Sequence, residues 1–167
     1  VAAAPLTASG FAPYVGYTGA LAVKGTVGPM TTAGTTQTFS FTLTGVDPTC
    51  TAPSIAANSC GIHIHSGTSC ETAGGHYFTG TVTTDPWATV VYTATAQGTT
   101  TGTLTVDTGA TGAEVSGRAM VIHSRSGSRV ACALLVAPGP SPPVTAITFE
   151  PYVGYTGALA VKGTVGP

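Results

Sequence analysis

Residues 36–44 read TQTFSFTLT, and their alternation decides the class of fold. Phe39, Phe41 and Leu43 stand at every second place, separated by Ser40 and Thr42. A period of two belongs to a strand with one face buried and the other in water. Segments of the same kind recur at 20–27, 61–65, 88–96, 100–107, 117–123 and 129–136, and most are bounded by Gly, Pro, Asp or Ser, as turns require. No stretch places apolar residues at i, i+3, i+4 and i+7 between caps, so no helix is predicted. The expectation is an all-β chain of seven to eight short antiparallel strands, arranged as a sandwich or a Greek-key barrel. Residues 45–60 show little periodicity and carry two cysteines. They read as a surface loop stapled by Cys50–Cys60.

Composition agrees with this and removes several functions. Hydrophobic residues make up 43% of the 167, enough for a packed core, and much of that share is Ala and Val. Charged residues reach only 7% and the net charge is −1, which leaves no basic stripe to hold the phosphates of a nucleic acid. No run approaches the roughly 18 apolar residues that span a membrane. The first residues, VAAAPLTASG, lack the charged and apolar regions of a signal peptide, so the chain reads as a mature or excised fragment. Four cysteines, none in a CxxC, permit two disulfides in three possible pairings. Paired cysteines in a Thr-rich, charge-poor chain favour an oxidising setting, outside the cell or on its surface.

A long internal repeat organises the chain. FAPYVGYTGALAVKGTVGP at 11–29 returns as FEPYVGYTGALAVKGTVGP at 149–167, with Ala12 replaced by Glu150. The offset is a domain length, far longer than a solenoid period. Four segments follow: a leading linker at 1–10, a unit at 11–137, a Pro-rich linker at 138–148, and at 149–167 the first strand of the next tandem unit. The duplicated strand has one place to fill per unit, so it can stay loose, displace the first copy, or exchange into a neighbouring molecule.

The chemistry is concentrated in the four histidines. His63 and His65 sit in GIHIH; on a strand, both imidazoles lie on one face, with Ile62 and Ile64 toward the core. His76 follows a Gly-rich turn, and His123 ends the strand-like RAMVIH. Four imidazoles without a cysteine ligand set suit copper(II) better than a structural zinc site.

These segments carry a family resemblance. GIHIHSGTSCETAGGHYF resembles the copper-binding segment of the Cu/Zn superoxide dismutases, and GRAMVIHSRSGSRVACALL resembles their last two strands. The resemblance implies an eight-stranded Greek-key β-barrel, His63, His65, His76 and His123 as copper ligands, a Cys70–Cys132 disulfide, and Arg129 as the guanidinium beside the metal. Two departures narrow it. No histidine lies between His76 and His123, so the family's zinc set is missing, and only SRSGS separates His123 from Arg129, so the guiding loop is missing too. Together with the repeat, these departures resemble the copper-only superoxide dismutase repeat proteins.

The resulting expectation is one copper ion and no zinc, acting on superoxide, with neighbouring repeats of the same chain as partners. A copper-binding or storage module with little turnover is the alternative. Asp85, in TDPW, matches the family's last zinc-site carboxylate by order. It reads either as an acceptor that orients His76 or as an Asp-Pro turn. Arg125 is a second choice for guiding an anion. Arg118 and Glu71 read as structural or solvated, Trp87, Tyr77 and Tyr92 as core or rim aromatics, and Tyr14 and Tyr17 as packing at the start of the unit.

Overall fold

The structure, a computed structural model, describes residues 4–52, 54–139, 156 and 157. The chain divides into two compact units, Val1–Ala137 and Pro138–Pro167. Apart from Pro138, Gly139, Thr156 and Gly157, the expected Pro-rich linker and the duplicated strand lie outside the described residues.

The first unit is mostly antiparallel β. Its strands are β1 (Leu6–Ser9), β2 (Ala12–Pro13), β3 (Lys24–Ala33), β4 (Thr36–Thr44), β5 (Ile62–Ile64), β6 (Thr99–Asp107), β7 (Ala119–His123) and β8 (Arg129–Val136). Seven of them run in the order β5-β7-β8-β1-β3-β4-β6 and curl into a half-barrel, with β2 pairing off the path on β8. Two short helical turns interrupt the strands, Pro86–Thr89 and α1 (Gly112–Val115).

β4 realises the alternation of its sequence. Gln37, Phe39, Phe41 and Leu43 are buried, while Thr42 and Thr44 are exposed. Gln37 is the polar member of the inner row. Its amide donates to the Ala110 carbonyl at 2.7 Å, and its oxygen accepts from Thr32 at 2.6 Å, so burial leaves it satisfied.

Three expectations need correction. Leu6–Ser9, assigned to a leading linker, is a strand inside the sheet, held by β3 on one side and β8 on the other. Leu6 and Ala8 face the core; four residues with alanine as one of only two apolar members make a weak alternation, at the lower limit of what marks a strand. The strand expected at 20–27 is shifted to Lys24–Ala33 and runs through Pro29, because the register slips between Val27 and Met30 and the ladder resumes beyond the proline. The segment 88–96 is not one continuous strand, because its backbone serves four partners in turn. The Val90 carbonyl accepts from Ile62, Tyr92 donates to Cys60, Ala94 to Cys50, and Thr95 to Thr99. This segment thereby runs from β5 to β6.

Candidate metal centre

The histidines come together from four places. β5 supplies His63, and His65 follows directly after it; His76 is bridged to His65 across a bend; His123 closes β7. One ring nitrogen from each lies within 4.8 Å of the others. His63, His65 and His123 are each no more than 1% exposed. Gly61 makes room for the first of them, since a Cβ there would stand 2.2 Å from the His63 ring.

The remaining nitrogens are committed outward. His63 Nε2 donates to the Val90 carbonyl at 2.9 Å, His65 Nδ1 to Gly74 at 3.0 Å, and His123 Nδ1 to Gly127 at 2.9 Å. His76 Nδ1 donates to Asp85 Oδ2 at 2.6 Å. Each bond fixes a tautomer and turns a lone pair inward: Nδ1 on His63, and Nε2 on the other three. His63 Nδ1 is buried with no hydrogen-bond partner. A buried acceptor left open is costly unless something else uses its lone pair. A cation at the centre of the four rings would use it, and so the donor set fits a nitrogen-ligated metal.

Electrostatics points the same way. Burial lowers His63 to about 2, with the charges of His123 and His76 adding to the effect. Burial likewise lowers His65 to about 3 and His123 to about 4, and nearby Arg129 contributes to both. At neutral pH these three imidazoles are uncharged, so no proton competes for their lone pairs.

Arg129 opens β8 directly opposite His123. One terminal nitrogen donates to the Tyr14 hydroxyl at 2.6 Å, and the other donates to the Gly74 carbonyl, the oxygen that also accepts from His65. Gly74 has φ of 72°, a left-handed conformation that glycine reaches without strain. A guanidinium has five donors, and the hydrogen bonds among the described residues engage two of them.

Both readings of Asp85 hold at once. Oδ2 accepts from His76, and Oδ1 accepts from the Trp87 amide at 2.9 Å, capping the Pro86–Thr89 turn. Trp87 is fully buried, its ring 5.9 Å from that of His63, with its Nε1 donating to the Tyr77 carbonyl. Tyr92, also buried, donates its hydroxyl to the His123 carbonyl at 2.8 Å. The other two arginines are structural. Arg125 bonds the carbonyls of Thr49 and Ala52 in the loop after β4, and Arg118 bonds Ser66 and Glu114 and lies over the Tyr77 ring. Glu71 is exposed.

Two disulfides support the site, Cys50–Cys60 and Cys70–Cys132. The first sits under the loop before β5. The second ties the bend between His65 and His76 to β8. No protein-family model matches the chain, and a comparison with curated proteins gives no match.

Sequence reasoning missed Tyr14 and the backbone acceptors Val90, Gly74 and Gly127. Every residue has a carbonyl, so nothing in the sequence marks those three. Tyr14 lies in the duplicated segment, where its copy at Tyr152 was a signal without a stated role.

Proposed function

We propose that the four-histidine centre binds one copper ion and that the loaded protein disproportionates superoxide to dioxygen and hydrogen peroxide. Copper rather than zinc follows from four imidazole donors with no thiolate or carboxylate ligand. When bound, it would alternate between its two oxidation states, oxidising one superoxide and reducing the next. The chain's own contribution is to hold three tautomers with backbone carbonyls and the fourth with Asp85, and to keep His63, His65 and His123 buried and uncharged. The observation that carries the reading is Arg129, a guanidinium tied to the ligand His65 through the shared Gly74 carbonyl and keeping donors to spare for an anion.

The wider reading includes a Greek-key barrel of the copper-only superoxide dismutase type, a tandem array of such units able to exchange their duplicated strand, no zinc site, and an extracellular location. The location agrees with two disulfides. A copper-binding or storage module with little turnover is the second reading, because the ligand set alone serves it equally well.

The deciding experiment is superoxide consumption per bound copper, measured for the protein and for Arg129→Gln. Consumption should be fast, and Arg129→Gln should lower it by about tenfold with copper content unchanged, as loss of a charged contact to the anion entails. A loaded protein no faster than the buffer blank would establish the storage reading instead.

A further inference from the structure

Arg129 begins a strand and carries a long, freely rotating stem, so something must hold its guanidinium in place. Gly74 supplies one anchor. The other is Tyr14, brought there by β2. Ala12 and Pro13 pair with Cys132 and Ala131 on β8, and the Tyr14 amide donates to the Val130 carbonyl at 2.8 Å, which sets its side chain next to Arg129. The chain then turns away, with Tyr17 donating to the Tyr14 carbonyl. The Tyr14 ring packs on a small cluster of Ala73, Ala119, Val121 and Cys132, and the Arg129 guanidinium carbon lies 5.2 Å from the ring centroid. Packing alone would be served by phenylalanine. The hydroxyl has a separate task, accepting from Arg129 at 2.6 Å.

From this we infer that Tyr14 is a positioning residue for Arg129, fixing the guanidinium so that its remaining donors meet an anion at the metal centre. The inference rests on the proposed role of Arg129 and deepens it. It also gives the repeat a meaning: the segment that recurs at 149–167 carries the phenol with it as Tyr152.

Two measurements test it. In the metal-free protein, the side-chain N–H signals of Arg129 are followed by NMR in wild type and in Tyr14→Phe. The guanidinium should be ordered in the first and mobile in the second; equal order in both would overturn the inference whether or not copper is the metal. In the copper-loaded protein, azide serves as the anion probe, titrated through the copper absorption and EPR signals. Tyr14→Phe should weaken azide by roughly three- to tenfold, as for residues coupled through one hydrogen bond. The azide-free EPR signal should stay unchanged. Arg129→Gln should weaken azide further, and adding Tyr14→Phe to it should change nothing more. Full azide affinity in Tyr14→Phe beside a weakened Arg129→Gln would refute the tyrosine's role alone. Full affinity in both would remove the anion role of Arg129, and the inference with it.

Discussion

The ladder β3-β4-β6 and the strands β5, β7 and β8 share one sheet but handle burial in opposite ways. β4 alternates, with apolar residues inward and threonine outward, and pairs residue for residue with β6 from Thr36↔Asp107 to Thr44↔Thr99. β5 and β7 do not alternate; every residue of both is buried. Their outer side is covered by the bend between His65 and His76, which packs Ala73 and Cys70 against Ala119, Val121 and Cys132 and is bonded to Arg118 and Arg129. The first region needs only its ladder and one apolar face. The second has a dry interior on both faces, and there imidazoles can stay neutral and aligned. The difference shows what a polar site asks of a small β fold: a second layer made from loops, and cross-links to hold the loops down.

The largest effect should come from cutting that second layer. Removing Cys70–Cys132 by paired Ser substitutions opens a span of 62 residues and should cost about 4 kcal/mol, read from the denaturant midpoint. Removing Cys50–Cys60, a span of 10, should cost about 3 kcal/mol. If neither change moved the midpoint, the loops would be held by their hydrogen bonds alone and the comparison would fail.

Asp85→Asn comes next. The carboxylate uses both oxygens, one for His76 and one for the Trp87 amide, and Asn offers only one acceptor. Copper affinity by competition titration should fall by about 10- to 100-fold. Unchanged affinity would mean that the His76 tautomer is set by the metal and not by Asp85.

The smallest effects sharpen the contrast directly. Ile122→Val in β7 should cost about 1 kcal/mol in thermal or denaturant unfolding. Thr42→Ala on the outward face of β4 should stay within about 0.5 kcal/mol. Equal costs would mean that the Thr face is packed by something outside the described residues.

What the sequence made legible follows the same divide. TQTFSFTLT gave β4 to the residue, because one wet face makes the period visible. The four-histidine cluster was legible for a different reason: HxH at strand spacing in a chain with four histidines is a chemical signal, independent of periodicity. The strand at Leu6–Ser9 was hidden by its short, weak alternation. The segment 88–96 was misread because Val90, Val91 and Tyr92 have strand character, while their backbone partners are set by the disulfide loop and by β5, which propensity does not encode. Tyr14 was read as packing, which holds for its ring and misses its hydroxyl.

Trp87 is the only tryptophan in the chain, and it lies sealed in the core against His63. Its placement gives the protein a built-in optical gauge. A paramagnetic ion among the four rings would drain the excited indole at short range, whereas a closed-shell ion there would leave it bright. Emission intensity therefore reports which metal has arrived, and emission colour reports whether the core around it is still closed, both from the unlabelled chain.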